Sequence, residues 1–479
     1  MNMLIDGRNI PASDGKTIDV VNPVTNDLVD TIPSATEADI EYAIKCAKKG
    51  HQEWYAMPLY ERAAVLMKYA DLVEEHSEEL GKLLAKEMGK PYTQSVMEMY
   101  GVSNMFRGFV EAAKHKYDRV NPLTGIPGRD GDFQMVVREP LGVVAAIVPF
   151  NVPAGLYGQK VAPALIMGNA VIVKPASDNP LTIIRLVQLL VEAGVPAKAA
   201  QAVTGRGGAC GTYLSSSPGI NGIFFTGSTQ VGLEIARMGD LHLTPSFLEL
   251  GGNDPCIILD DADLDIAIPY IVEDRLFNSG QVCVSPKRLL VQEDIVEEFT
   301  ARILAEVPKI KVGDPFDPET SMGCLISEKA AIGVEAQVNE TIKQGAQLLY
   351  GGTRDGAYYM PTILGGITRD MDIANDMEVF GPVFAIIPVK DQEEAISVAN
   401  QTSYGLSSGI FTKDISRGMT LASKIESGAC VINGTGFYIT PYQPFGGIKM
   451  SGRGREGWSV TLDEVTYEKT ITVRNMYKK

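Results

Sequence analysis

Residues 142–175 read GVVAAIVPFNVPAGLYGQKVAPALIMGNAVIVKP. The stretch opens on an apolar run, Gly142 to Pro149, with no polar alternation. A helical segment follows over residues 154–168, and a second apolar run, NAVIVKP, ends at Pro175. Strands that are apolar on both faces and joined by single helices imply a parallel sheet covered on both sides. The pattern continues downstream. LTIIRLVQLLVEAGVP is helical, and AAQAVTG and INGIFF are strands. Sheets of this kind bind ligands beyond the carboxyl ends of their strands.

Before this region the chain reads as helical. In ATEADIEYAIKCAKKG, Thr36 and Asp39 fit a capping box, and Ile40, Ala43, Ile44 and Ala47 share one face. LYERAAVLMKYADLVEEH and SEELGKLLAKEMGKP continue in the same manner, with Ser77 as an N-cap and Gly89 to Pro91 as a stop. DRVNPLTGIPGRDGDFQMVVREP is rich in Pro, Gly and Asp before it turns β-like, and reads as a hairpin leaving the main body. After about Glu249 a second α/β series begins. It runs through PCIILD, LDIAIPYIVEDRLFNSG, RLLVQ, IVEEFTARILAEVPKI, VFAIIPV and SGIFT. The alternating VTYEKTITVRN reads as an edge strand. The expected fold class is α/β, with two α/β domains in series built on parallel sheets.

The bulk numbers agree with this and exclude other classes. A chain of 479 residues is too long for one hydrophobic core. Its net charge of −16 is spread along the chain and repels phosphate backbones, which sets nucleic acid aside. No apolar run is long enough to cross a bilayer. The start, MNMLIDGRNIPASDG, lacks the basic-then-apolar pattern of a secretory leader. Six scattered cysteines, without C-x-x-C, and four histidines argue against a zinc site and lead us to expect a reducing cytoplasm.

Five features and one weaker loop could carry chemistry, and each of the five has a plainer reading beside it. FFTGSTQVGLEIA ends a strand at Phe225, turns at Gly227, Ser228 and Thr229, and opens a helix. The N–H groups of such a helix start form an anion site. Gly227 would admit a phosphate, and Gly232 would let the helix lie close to its strand. A simple βα turn fits the same residues. TGRGGACG, with Gly205, Gly207 and Gly211, is a weaker second loop. Lys174 at a strand end suits ribose hydroxyls or a phosphate, or is merely solvated. Glu249, between leucines and before Gly251 and Gly252, suits a general base of raised pKa, or pairs with an unseen cation. Asn151, between Pro149 and Pro153, suits an oxyanion donor or an Asx turn. Cys283, in NSGQVCVSPKRLLVQ, is either a nucleophile or a small buried hydrophobe.

Taken in chain order, the motifs resemble those of the NAD(P)-dependent, non-acylating aldehyde dehydrogenases over nearly the whole chain. They are PFN at Pro149 to Asn151, KPAS at Lys174 to Ser177, FTGSTQVG at Phe225 to Gly232, LELGG at Leu248 to Gly252, GQVC at Gly280 to Cys283, EVFGP at Glu378 to Pro382, and PFGGIKMSGRGREG at Pro444 to Gly457. The resemblance implies that Cys283 is the nucleophile and that its thiolate gives a thiohemiacetal and then a thioester. The Asn151 amide and the Cys283 N–H would hold the oxyanion. Glu249 would activate the deacylating water, and its presence favours water over CoA as acyl acceptor. Lys174 and Glu378 would hold the two riboses, Phe380 would line the nicotinamide site, and Ser228 would touch the pyrophosphate. Phe150, Gly207, Gly211, Phe225, Gly227, Gly232 and Leu250 complete the expected cofactor site. Lys160 and Glu456 match supporting positions, and no metal is expected.

The family fold would give a dinucleotide-binding domain at 1–118 and 140–249, and a catalytic domain at 250–447. An oligomerisation element at 119–139 and 465–479 would make a homodimer or homotetramer. Many NAD-preferring relatives have glutamate where this chain has Ser177. A small hydroxyl leaves room for a 2′-phosphate beside Lys174, so NADP is favoured, with NAD usable. Relatives acting on succinate semialdehyde commonly have arginines at the positions of Gln159 and Phe277. Their absence, with Phe150, Val152, Leu156 and Ile439, suggests a largely apolar tunnel for an uncharged aliphatic or aromatic aldehyde. Arg275 lies near the second of those positions. Semialdehyde, lactaldehyde or glyceraldehyde-3-phosphate oxidation is the alternative within the family. A non-catalytic binding protein, or a cofactor-independent thiol hydrolase, is the alternative outside its chemistry.

Overall fold

The computed structural model describes residues 1–477. Residues 478 and 479, the end of the expected oligomerisation element, lie outside them. Two large sheets organise the chain. The first has eight strands in the order Arg8–Ile10, Met3–Ile5, Ala200–Ala202, Ala170–Lys174, Val143–Ile147, Gly222–Thr226, Ser246–Glu249 and Gly452–Arg453. Its five central strands are parallel. The second has seven, in the order Gln347–Tyr350, Thr362–Gly365, Val383–Val389, Arg288–Gln292, Pro255–Ile258, Gly409–Phe411 and Val431–Ile432.

The expected α/β architecture is present, with two corrections. The sheets are mixed rather than wholly parallel. Antiparallel strands close both edges of the first sheet and one edge of the second. The chain also does not begin as helix. Asp6 and Gly7 both take positive φ, 55° and 69°, and fold Met3–Ile5 back on Arg8–Ile10 as a two-residue hairpin. A second hairpin pairs Thr17–Val21 with Leu28–Pro33. Helix begins at Glu37, where the Thr36–Asp39 capping box forms as the sequence indicates. The Ser77 expectation fails by one position. Ser77 is the first helical residue and its side chain caps nothing, because the chain passes through His76 from one helix into the next. That helix stops at Gly89 with φ 79°.

The excursion after Asp118 and the final strand meet as a three-stranded antiparallel sheet. Thr466–Val473 pairs with Phe133–Pro140 over eight residues, and Arg119–Val120 adds on the other side. Nearly all of Thr466–Val473 is exposed. Among the described residues, no helix is long and apolar enough to cross a membrane.

Candidate active site

The parallel strands of the first sheet run outward on both sides from the pair Val143–Ile147 and Gly222–Thr226. A cleft of about 630 Å³ opens at their carboxyl ends, where such a reversal of strand order leaves a crevice. Four strands deliver residues to it. Ile147 to Asn151, Lys174, Phe225 to Ser228, and Glu249 to Gly251 all line it, and Cys283, Glu378 and Phe380 come from the second half of the chain.

One end of the cleft suits phosphates and a ribose. Ser228 is the N-cap of the helix Thr229–Asp240, yet its side chain accepts no bond from that helix. The N–H groups of the first turn are therefore left for a ligand. Gly232 packs as expected: a Cβ there would lie 2.3 Å from Leu250 Cδ2. Gly227 is required for a reason the sequence did not suggest, since a Cβ would strike the Phe225 ring at 2.4 Å. TGRGGACG folds as a wide turn, Gly207–Gly211, with open space around Gly207 and Gly208. Lys174 is buried, and its ammonium donates only to the Pro175 carbonyl, at 3.1 Å. Burial lowers its pKa, with Cys210 and Asp178 opposing. Ser177 does not line the cleft itself; its hydroxyl donates to Gly205 O at 2.9 Å. The exposed Arg206 follows that glycine.

At the other end the chain is bent tightly to present Cys283. Asn278, Ser279 and Gly280 all have positive φ, 48°, 58° and 75°. A Cβ on Gly280 would sit 2.3 Å from Gly381 O, so only glycine fits. Two left-handed non-glycine residues in a row store strain, and buried side chains hold them. Asn278 Nδ2 donates to Asn151 O at 2.8 Å, Gln281 Nε2 to Asn278 O at 3.0 Å, and Asn151 Nδ2 to Gln281 O at 3.0 Å. The Asn151 amide thus spends one N–H on positioning and keeps the other. Glu98, ion-paired to Lys90 at 2.5 Å, accepts from the N–H groups of Ala154 and Gly155 and anchors the helix that starts beside Asn151.

The Cys283 thiol, partly exposed, lies against the buried Glu249 carboxyl. Burial and the Glu249 charge push the thiol up. Among the described residues no N–H or hydroxyl donates to either Glu249 oxygen; the Cys283 thiol is the neighbour that reaches the carboxyl, and its hydrogen bond lowers the Glu249 pKa. Burial first, and then the Glu456 charge, raise its pKa to about 8, with Lys160 opposing. Lys160, wholly buried, donates to Glu456 Oε1 at 2.7 Å and to Thr226 Oγ1 at 2.6 Å. A carboxyl with this pKa, next to a thiol and without a fixed partner, can take a proton near neutral pH.

The expected site residues therefore fall into three groups. Phe150, Asn151, Lys174, Gly207, Gly211, Phe225, Gly227, Ser228, Glu249, Leu250, Cys283, Glu378 and Phe380 share the cleft. Lys160, Ser177, Gly232 and Glu456 stand outside its lining. Val152, Leu156, Gln159, Phe277 and Ile439 are also absent from the lining. Phe277 packs against Phe437 beside the cluster that holds Cys283, with ring centroids 5.2 Å apart, and Ile439 is 40% exposed. Arg275 is fully buried and committed to Val383 O, Val379 O, Gly280 O and Ser285 Oγ, so it is not free to bind a substrate anion. Sequence reading missed Val231, Glu234, Ile235 and Met238, which also line the cleft. Their i, i+3, i+4, i+7 spacing marks one helix face and could have shown them. It also missed Lys287, discussed below.

The cleft at the carboxyl ends of the parallel strands thus brings a thiol and a buried carboxyl together. The sequence profile of the aldehyde dehydrogenase family matches residues 10–471, and the chain belongs to that family. It is 38% identical over 476 residues to the mitochondrial succinate-semialdehyde dehydrogenase of Oryza sativa subsp. japonica, covering 99% of this chain and 89% of the relative. It is 37% identical over 456 residues to the 3-sulfolactaldehyde dehydrogenase of Priestia aryabhattai, covering 95% and 94%. The crystal structure of the NADP-dependent glyceraldehyde-3-phosphate dehydrogenase from Bacillus halodurans, complexed with NADP, superposes with a TM-score of 0.96 at 36% identity, covering 99% of each chain.

Proposed function

We propose that this enzyme oxidises an aldehyde to a carboxylic acid with NADP, and less efficiently with NAD, and that the neighbouring Cys283 and Glu249 do the chemistry. The observation that carries this reading is their meeting at one end of the cleft. The residues along the cleft fit a dinucleotide. The free helix start at Ser228 suits the pyrophosphate, and Lys174 keeps donors for the adenosine ribose. Glu378 and Phe380 would hold the nicotinamide end. Ser177 is small, and Lys174 and Arg206 bring positive charge near it, which suits a 2′-phosphate.

Bound NAD(P) supplies the hydride acceptor. The protein does the rest. Cys283 gives its proton to solvent water in the cleft, and the thiolate sulfur attacks the aldehyde carbon. The free Asn151 N–H and the Cys283 backbone N–H hold the oxygen that becomes anionic. Loss of hydride from that carbon leaves a thioester on Cys283. Glu249 then takes a proton from water as the water attacks, and the thiolate leaves with the carboxylic acid formed. Lys160 and Glu456 set the potential at Glu249.

For substrate we favour an uncharged aldehyde. Gln159 and Phe277 offer no cation, and the structure commits Arg275 to the protein. The alternative within the family is a semialdehyde, lactaldehyde or glyceraldehyde 3-phosphate, and the names of the three relatives, all for aldehydes that carry an anionic group, favour an anionic one. Steady-state rates with hexanal, benzaldehyde, lactaldehyde, succinate semialdehyde and glyceraldehyde 3-phosphate, each with NADP and NAD, separate the two. Best kcat/KM on the anionic aldehydes would overturn the substrate reading. Absence of turnover on every aldehyde would overturn the proposed function.

The wider organisation is proposed in the same terms. Residues 1–118 and 140–249 form the dinucleotide-binding domain and 250–447 the catalytic domain. The oligomerisation element, 119–139 and 465–479, joins copies into a dimer or tetramer, for which the exposed strand Thr466–Val473 is suited. All six cysteines are free, in keeping with a cytoplasmic setting.

A further inference from the structure

Four residues beyond Cys283, Lys287 occupies a position the mechanism above does not use. Its side chain is only 2% exposed. The ammonium donates to the backbone carbonyl of Cys283 and lies 3.4 Å from Glu378 Oε1. The same Glu378 oxygen accepts from Gly252 N at 3.3 Å. Below it sits Asp254, buried, whose backbone carbonyl accepts from Lys287 N at 3.2 Å and Arg288 N at 3.1 Å. Asp254 Oδ1 accepts from Ser407 N at 3.2 Å, and Oδ2 has no donor.

The charges around the thiol are unbalanced without this lysine. Glu249 comes from the end of the first sheet, and Asp254 from the segment leading into the second. Both oppose thiolate formation, whereas Lys287 favours it. Arg275 is nearby, but it spends its donors on backbone carbonyls and Ser285. Lys287 is hydrogen-bonded to Cys283 O and faces the carboxylates of Glu378 and Asp254, the partners a buried cation needs.

We propose that Lys287 is a positioning residue that fixes the Cys283 carbonyl, ties it to Glu378, and supplies the positive charge that lets the thiolate form among carboxylates. This rests on the reading of Cys283 as nucleophile. The lysine acts through the backbone and through its field, without touching the aldehyde.

The test is the pH dependence of Cys283 alkylation by iodoacetamide in the full-length enzyme, followed by peptide mass spectrometry. A merely structural lysine would alter stability without moving this profile. Lys287→Gln should move the midpoint of the profile up by about one pH unit, so that alkylation at neutral pH slows about tenfold. Lys287→Arg should restore most of the rate. An unmoved profile in Lys287→Gln overturns the proposal. Should that variant not fold, Glu378→Gln carries the test. Removal of the carboxylate that shares the charge of Lys287 should move the midpoint down, and an unmoved profile there overturns the proposal equally. Aldehyde oxidation by Cys283→Ala, measured in parallel, would instead refute the underlying assignment of the nucleophile.

Discussion

Lys160 and Glu456 stand 296 residues apart in the chain and form a 2.7 Å ion pair beside Glu249. One partner lies on the helix that follows Asn151, the other in the segment after the short strand Gly452–Arg453. The pair works on Glu249 with opposite signs, the lysine lowering its pKa and the glutamate raising it. Substitution of each should therefore shift the deacylation profile in opposite directions. Lys160→Met should move the rising limb above pH 8, and Glu456→Gln should move it below. Stopped-flow measurement of thioester hydrolysis against pH checks both. A shift in the same direction for both variants would contradict the account.

In the proposed mechanism Glu249 acts unprotonated. Deacylation should rise with pH and level off above about 8, its pKa in the fold. Glu249→Gln should lose about 10²- to 10⁴-fold in steady-state turnover. It should still form one reduced cofactor per active site in a single burst, because acylation needs only Cys283 and the oxyanion donors. Rapid-mixing absorbance measures the burst.

The same carboxyl links stability to pH. Folded Glu249 keeps its proton to about pH 8, whereas an unfolded glutamate releases it near 4.5. The folded state therefore binds more protons between these values, and stability present below 4.5 is lost as pH rises through 8. Glu249→Gln removes this loss. The variant should match the wild type at low pH and exceed it above pH 8 by on the order of a few kcal/mol. Denaturant titrations at both ends of the range check this.

On the proposed reading, cofactor choice turns on Ser177. Ser177→Glu places a carboxylate where the 2′-phosphate would lie, beside Lys174 and Arg206. The kcat/KM with NADP should fall by about 10²-fold or more, while that with NAD holds or improves. An unchanged ratio of the two cofactors would refute the placement of the phosphate.

Much of this was legible in the sequence because it is local. The strands and helices after Gly142 follow from apolar runs and their spacing. Gly227, Ser228, Lys174, Glu249 and Asn151 stand at strand ends, where a parallel sheet gathers its ligands. The strand Met3–Ile5, second from the sheet edge, was not legible, because three residues are too few for a period and one of its partners is the distant Ala200–Ala202. The strained turn at Asn278 and Ser279 was hidden as well: Asn tolerates positive φ but Ser does not signal it, and the bonds that hold the turn come from Asn151 and Gln94. Arg275 shows the converse failure. It lies two positions from where relatives have a substrate arginine, which left its role open, and only its carbonyl partners reveal a buried brace.

The central claim is that the Cys283 sulfur carries the acyl group. Its most direct test is the intact mass of Glu249→Gln after brief mixing with NADP and an aldehyde, beside Cys283→Ala treated in the same way. The account predicts an acyl adduct on Cys283 in the first, and in the second no adduct and no reduced cofactor, although NADP still binds. Reduced cofactor formed by Cys283→Ala would contradict it.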